Sequence, residues 1–223
     1  LNFLRGGAAV NVLARAAGAD VIVVDMGVDH DFAGASGLRN EKIGPGTKNI
    51  AREDAMTRDE ARRAIEAGIR ISTDAVAGGA TLVGTGDMGI ANTTASAAII
   101  CAFTGLHPDE IVGRGTGIDD ARLAKKRDLV AKVLMDRRPD PSDPLGLLAK
   151  IGGFEIGGIA GVALGAAASR AAVVVDGFIA SAGVLIAAAL APGLRDYLFA
   201  SHLSEERGHQ AALSVLGLSP ILD

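Results

Sequence analysis

Two glycine-rich loops contain the residue types that could bind an anion. The first, residues 84–89, reads Gly-Thr-Gly-Asp-Met-Gly and is followed by Asn92 and Thr93. The second, residues 113–117, reads Gly-Arg-Gly-Thr-Gly and is followed by a basic run at 125–127. A glycine loop that leads into a helix offers free backbone N–H groups and the positive end of the helix dipole. The two loops predict a site for a phosphorylated small molecule, although ordinary strand-to-helix turns would also explain them.

The first loop also matches the dinucleotide-binding pattern G-x-G-x-x-G. Asp87 argues against NAD, because its negative charge lies inside the loop that would face the pyrophosphate. The acidic residues that follow, Asp109 and Glu110, do not end an apolar strand as the ribose contact requires. An NAD-dependent oxidoreductase remains an alternative, and it predicts dinucleotide binding that Asp87→Ala would strengthen.

Other polar residues have weaker claims to chemistry. Asp25 and Asp176 follow apolar runs, where open α/β sheets bind ligands, but either could instead cap a helix. No G-x-S-x-G elbow surrounds Ser201, so a catalytic triad is not expected there. We interpret Cys101 as a buried cysteine that fills space in the core, because no base or cation is adjacent to it. The histidines are scattered, and we interpret them as solvated or structural: His30, His107, His202 and His209.

Five ordered segments resemble the nicotinate-nucleotide–dimethylbenzimidazole phosphoribosyltransferase family. They are residues 86–94, 113–117, 152–156, 176–180 and 201–209, and the similarity runs over residues 1–223. The resemblance implies transfer of phosphoribose from nicotinate mononucleotide to 5,6-dimethylbenzimidazole. The products would be nicotinate and α-ribazole 5′-phosphate, in cobalamin biosynthesis. It implies no cofactor and no metal, and the partners would be these small-molecule substrates.

The resemblance also implies roles for particular residues. Asp87 stands where the family usually carries a glutamate, and it is our candidate catalytic residue, one methylene shorter. Lys126 resembles the lysine that meets the anionic group of the substrate. The substrate-binding residues implied by the resemblance are Gly89, Asn92, Thr93, Gly115, Thr116, Gly117, Lys126 and Ser204.

The resemblance further implies family segments outside residues 1–223. The family's catalytic glutamate, the general base, is expected beyond Asp223, and an N-terminal segment is expected to complete the benzimidazole pocket. We therefore expect residues 1–223 to be a single α/β phosphoribosyltransferase-like domain from a longer protein, inactive alone for lack of the base. A catalytically silent homologue that binds a nucleotide is the alternative.

The apolar periodicity predicts the elements that must position these residues. Helices are expected over 2–17, 57–77, 93–103, 119–136, 154–169, 178–190 and 205–216. Strands are expected over 21–25, 80–83, 171–175 and 197–201, the first of them buried on both faces. Because helices and strands alternate, we predict an α/β fold with a mostly parallel sheet flanked by helices, Rossmann-like, with a small helical part that segments outside this chain complete.

A glycine repeat marks the helix expected over 154–169. Gly157, Gly161 and Gly165 recur every four residues, which favours close packing against another helix or a sheet. A subunit interface is one use for that face, since the resemblance implies a homodimer.

Composition excludes several classes of function. The chain has 223 residues, with 22 Lys+Arg against 26 Asp+Glu and a net charge of −4, so nucleic-acid binding is not expected. The uncharged stretches at 88–108 and 177–194 are rich in small or polar residues, which disfavours a membrane protein. The single cysteine cannot form an internal disulfide, and this suits a cytoplasmic protein.

Overall fold

The structure, a computed structural model, describes residues 1–115 and 117–222. The chain divides into two compact units, Leu1–Gly46 and Thr47–Asp223. The first unit contains helix α1 (Ala9–Ala17) and two short parallel strands, β1 (Val23–Asp25) and β2 (Leu38–Asn40). Helix α1 ends at Gly18, whose φ of 67° is left-handed, as expected for a glycine stop.

The second unit is built on a four-stranded sheet. Its strands are β3 (Leu82–Gly84), β4 (Ala172–Val175), β5 (Leu198–His202) and β6 (Pro220–Leu222), which lie side by side in chain order. All three neighbouring pairs are parallel, with Val83 opposite Val173 and Val173 opposite Leu198. The predicted α/β class with a mostly parallel sheet is therefore confirmed.

Helices connect and cover these strands. They are α2 (Arg58–Ala77), α3 (Thr93–Thr104), α4 (Pro108–Ile111), α5 (Asp120–Arg137), α6 (Pro144–Ile151), α7 (Phe154–Ala168), α8 (Phe178–Leu190) and α9 (His209–Leu216), with a 3₁₀ turn over Pro192–Tyr197. Helix α2 starts with a capping box: Thr57 Oγ1 accepts a bond from the Glu60 N–H at 3.1 Å, and the Glu60 carboxylate accepts from the Thr57 N–H at 2.7 Å. No helix within the described residues is long and apolar enough to cross a membrane.

The glycine repeat of α7 packs against α2 of the same chain. A Cβ added to Gly161 would overlap the carbonyl oxygen of Ile65, and one added to Gly157 would lie 2.9 Å from the Ala64 Cβ. Gly68 of α2 is equally tight against the backbone of α7. The prediction of close helix packing is confirmed, and this face of α7 is occupied within the chain instead of serving a subunit interface.

Several predicted boundaries are wrong, each for a local reason. The helix expected over 2–17 begins only at Ala9, because Gly6 has a left-handed φ of 71°. Strand β1 has one partner strand and Ile22 beside it is 51% exposed, so the run at 21–25 is not buried on both faces. The helix expected over 205–216 begins at His209.

No element was predicted between α5 and α7, where the structure has helix α6. Pro144 occupies the first turn of α6, where a missing N–H costs nothing, and the Asp143 carboxylate accepts a bond from the Gly146 N–H at 3.1 Å. The short elements α4, β2 and β6 also went unpredicted, because three or four residues carry too little periodicity to be recognised.

Candidate functional site

The first glycine loop lies at the carboxyl edge of the four-stranded sheet. Strands β3, β4 and β5 are parallel, so the segments that follow them emerge at one edge, where open α/β sheets bind ligands. The Thr85 N–H donates to the Val174 carbonyl oxygen at 3.0 Å, which ties the start of the loop to β4. A Cβ on Gly89 would lie 3.5 Å from Ile179 Cδ1, so the loop also meets the start of α8.

Asp87 organises this loop. Its Oδ2 accepts bonds from the Gly89 N–H at 2.7 Å and from Asn92 Nδ2 at 2.6 Å. Gly89 has a left-handed φ of 71°, and Ala91 adopts one of 62°, a conformation that costs a non-glycine residue about 1–2 kcal/mol. The Gly89 amide is bonded to Asp87, so it is not free for a pyrophosphate, and this supports the argument against an NAD fingerprint.

Lys126 joins the two glycine loops. Its Nζ, on α5, donates to Thr93 Oγ1 at 2.9 Å and to the Gly113 carbonyl oxygen at 3.2 Å. A Cβ on Gly115, whose φ is +58°, would lie 3.3 Å from Thr93 Oγ1. Burial lowers the pKa of Lys126, and the charge of Glu206 opposes that shift. Within the described residues two of the three ammonium donors are used, so the third can meet a ligand anion.

The other members of the second loop are less informative. Gly117 has a φ of 101°, which requires glycine there, and Asp119 caps the following helix by accepting the Arg122 N–H at 2.7 Å. Thr116, predicted to bind substrate, lies outside the described residues. The predicted pairing of a glycine loop with a helix start is thus present at both loops.

Ser204 lies in a third loop, which follows β5 and is held by a buried histidine. The Ser204 N–H donates to His209 Nδ1 at 2.9 Å, and His209 Nε2 lies 3.1 Å from Ser181 Oγ. The Ser181 hydroxyl in turn donates to the Gly177 carbonyl oxygen at 3.0 Å. Because Nδ1 accepts, the ring must be neutral with its proton on Nε2. His209 is fully buried, so the interpretation of a structural histidine fits its surroundings.

Glu206 connects this third loop to the second one. Its carboxylate packs against Gly113, where a Cβ would overlap Glu206 Oε2, and its charge raises the pKa of Lys126. The Glu206 N–H donates to Ser204 Oγ at 3.2 Å. Three loops that are distant in sequence therefore converge around Lys126, Thr93 and Glu206.

Replacing His209 by alanine should lower the free energy of unfolding by about 1–3 kcal/mol. The partly buried Ser204 N–H would lose its acceptor, and that desolvation cost is not recovered. Urea unfolding followed by circular dichroism measures the change. His30→Ala, at an exposed position, should stay within about 0.5 kcal/mol of the wild type, and equal stabilities for the two variants would contradict the anchoring role.

The same histidine should make stability depend on pH. Burial lowers the pKa of His209, with the nearby His202 adding to the effect and Asp176 opposing it. Below about pH 6.5 the unfolded chain binds a proton at this position that the folded chain resists, so stability should fall as the pH drops. In His209→Gln this part of the pH dependence should be absent.

The remaining polar candidates have structural surroundings. The Asp25 carboxylate, in the first unit, accepts the N–H groups of Gly27 and Val28 at 3.0 and 2.8 Å and pairs with Lys42 at 3.2 Å. Asp25 therefore stabilises the turn after its strand. Burial raises the pKa of the Cys101 thiol to about 12, as expected for a cysteine that fills space in the core.

Asp176 and His202 lie together beside the third loop. His202 Nδ1 is 3.5 Å from Asp176 Oδ1 and 2.9 Å from Ser201 Oγ. Both side chains of the Asp176–His202 pair are about half exposed. The predicted position of Asp176 at the end of a strand is confirmed, and its partner is a histidine of the next strand.

Glu155 is a site residue that the sequence analysis did not select. Burial raises the pKa of its carboxyl to about 7, the negative charge of Asp87 adds to this, and a hydrogen bond from Asn92 opposes it. Asp87, Asn92 and Glu155 therefore form one polar cluster. The available signal was that Glu155 is the one charged residue of α7, immediately after Gly153 and Phe154.

Known proteins are similar to this chain in sequence and in fold. Residues 1–223 match the DBI_PRT family profile, described as phosphoribosyltransferase. Nicotinate-nucleotide–dimethylbenzimidazole phosphoribosyltransferases from Geobacter metallireducens and Roseiflexus sp. RS-1 are each 54% identical over all of this chain. A crystal structure of the enzyme of that name from Thermus thermophilus is 47% identical and superposes with a TM-score of 0.93. The chain spans 63% of the two relatives and 66% of the crystallised chain.

Proposed function

This chain belongs to the DBI_PRT phosphoribosyltransferase family, and on that premise we propose that it carries the phosphoribosyl site of an enzyme of cobalamin biosynthesis. The proposed reaction transfers phosphoribose from nicotinate mononucleotide to 5,6-dimethylbenzimidazole. Nicotinate and α-ribazole 5′-phosphate are the products. The observation that supports this most strongly is the position of Lys126, which bonds both glycine loops and keeps a donor for an anion.

The substrate's phosphate would bind where the loops converge. Lys126 supplies a positive charge that is partly shielded from water, so its attraction to phosphate is screened less than at the surface. Thr93 Oγ1 and the N-terminus of α3 lie beside it and favour the same anion. Gly115 and Gly117 leave the backbone of the second loop open to the ligand, and Ser204 lines the third loop.

In the proposed reaction the substrate already carries its leaving group in an activated form. The nicotinate nitrogen of nicotinate mononucleotide is a pyridinium, so it departs with the electron pair of the C1′–N bond as a neutral ring. One benzimidazole nitrogen attacks C1′ from the opposite face, and the other ring nitrogen loses its proton to a carboxylate base.

Asp87 is assigned the electrostatic part of this step. Positive charge builds on the ribose ring in the transition state, and a fixed carboxylate stabilises it. The bonds from Gly89 and Asn92 hold Asp87 in one orientation before substrate arrives, so little reorganisation is needed. Asn92 and Gly89 act here through Asp87, in addition to any contact with the ligand.

Calorimetric titration of the chain with nicotinate mononucleotide tests this proposal. We expect saturable binding that inorganic phosphate weakens by competition, because both ligands need the convergent loops. Absence of binding up to millimolar nucleotide would contradict the proposed site. Release of nicotinate on addition of 5,6-dimethylbenzimidazole would exclude a silent nucleotide-binding homologue, and it would contradict the expectation that residues 1–223 are inactive alone.

The resemblance also supports a homodimer and a cytoplasmic location, and we propose both for this protein. The glycine face of α7 contacts α2, so a dimer would use another surface. Light scattering of the purified chain measures its mass directly. A mass of one chain at all concentrations would contradict the dimer.

A further inference from the structure

The surroundings of Glu155 disfavour the ionised form of its carboxyl. It occupies the first turn of α7, and its carboxyl folds back so closely that a Cβ on Gly153 would lie 2.7 Å from Glu155 Cδ. Burial is the largest cause that raises the pKa of this carboxyl. The helix N-terminus favours a carboxylate, but among the described residues no cation shifts the pKa of Glu155.

Asn92 couples Glu155 to Asp87. Its Nδ2 donates to Asp87 Oδ2 at 2.6 Å, and the amide also hydrogen-bonds the Glu155 carboxyl. Asn92 Oδ1 is buried and has no hydrogen-bond partner within the described part of the chain. An ionised carboxylate only accepts hydrogen bonds, whereas a protonated one also donates. A proton on Glu155 would therefore supply the cluster with a donor that it otherwise lacks.

The charge balance leads to the same conclusion. The negative charge of Asp87 acts on Glu155, and a like charge nearby disfavours ionisation of the Glu155 carboxyl. Lys126 and Glu206 lie at the junction of the loops, and neither is among the groups that shift the pKa of Glu155. A bound phosphate adds further negative charge near the loop, so it should draw a proton onto the Glu155 carboxyl.

We propose, on the basis of the proposed function, that Glu155 is a positioning residue that takes up a proton when the phosphorylated substrate binds. The protonated carboxyl holds Asn92, and through it Asp87, in the arrangement that accepts an anionic ligand. When Glu155 is ionised, its negative charge weakens binding of that ligand. Glu155 thus makes recognition of nicotinate mononucleotide dependent on pH near neutrality.

The first test measures binding against pH. The dissociation constant of the wild type for nicotinate mononucleotide should rise between pH 6.5 and 8.5, where the ligand phosphate remains mostly dianionic. The rise should be about tenfold for each pKa unit by which bound phosphate raises the pKa of Glu155. Glu155→Gln, which keeps the size and cannot ionise, should bind at the low-pH affinity throughout. Glu66→Gln, an exposed control on α2 where Glu66 pairs with Arg62, should behave as the wild type.

Two outcomes of this titration have different meanings. Binding by the wild type with the same pH dependence in Glu155→Gln would overturn the role of Glu155 and leave the proposed function intact. No binding by the wild type at any pH would overturn the proposed function instead.

A second measurement tests the coupling without any ligand. The ¹³C resonance of the Glu155 carboxyl should titrate near neutral pH in the wild type and at lower pH in Asp87→Asn, where the neighbouring charge is removed. An unchanged titration in Asp87→Asn would overturn the inference, whatever the binding data show. This readout also covers the case in which Glu155→Gln fails to fold.

Discussion

Replacing Gly161 by alanine should lower the free energy of unfolding by about 3 kcal/mol or more, which for a domain of marginal stability amounts to loss of the fold. The added Cβ would overlap the Ile65 carbonyl oxygen and lie 2.9 Å from the Gly68 Cα. Both contacts are with backbone of α2, so no flexible side chain can move aside. Within a helix, alanine is normally more stable than glycine by about 1 kcal/mol. A loss of stability in Gly161→Ala must therefore come from this packing.

Thermal and urea unfolding followed by circular dichroism measure this effect. Gly193→Ala is the matched control, because its added Cβ meets nothing within 4 Å, and it should unfold close to the wild type. A Gly161→Ala protein as stable as that control would show that α2 and α7 can separate at little cost. Such a result would contradict the close helix packing described here.

Replacing Lys126 by methionine should weaken binding of nicotinate mononucleotide about 10- to 150-fold. A hydrogen bond to a charged group contributes about 1.5–3 kcal/mol, and the variant removes both the charge and the donor. Methionine keeps most of the apolar stem, so the packing of α5 should survive. Thr93 and Gly113 would also lose the ammonium that joins their loops, which adds to the loss.

Calorimetric titration gives the dissociation constants for this comparison. Lys125→Met is the control, because Lys125 is the neighbouring lysine and is exposed, so the net charge of the two variants is equal. Its affinity should change less than about threefold, because an exposed charge contributes little free energy to an interaction. Equal losses in the two variants would mean that general electrostatic attraction, and not the loop junction, binds the nucleotide.

Much of the fold could be predicted from local sequence. Helix α2 begins directly after Thr57 and ends at the predicted residue, and α8 has the predicted bounds, because the signals for both helices lie within one segment. Short elements such as α6 were not predicted from the sequence. Pro144 begins this helix because Asp143 caps it. That residues 1–223 act as a single domain remains a prediction, and the structure describes two compact units.

The site was predicted as separate pieces. The glycine loops, Asp87 and Lys126 were identified from residue type and resemblance, because those signals are local. Glu155 was passed over because nothing near it in sequence reveals that Asp87 is its neighbour. His209 was interpreted as structural, but its partners, Ser181 and the Ser204 amide, come from other segments.

The residue types of this chain are sufficient to specify its class and the chemistry that it can offer. Glycines determine where the backbone turns, and the alternation of apolar runs determines the order of helices and strands. Lys126 and Asp87 provide the charges that a ligand can meet. The folded arrangement alone places the Lys126 ammonium on both loops and the Glu155 carboxyl beside Asp87. These relations depend on parallel strands that deliver distant loops to one edge, and on burial, which shifts a pKa only after the chain has packed around the group.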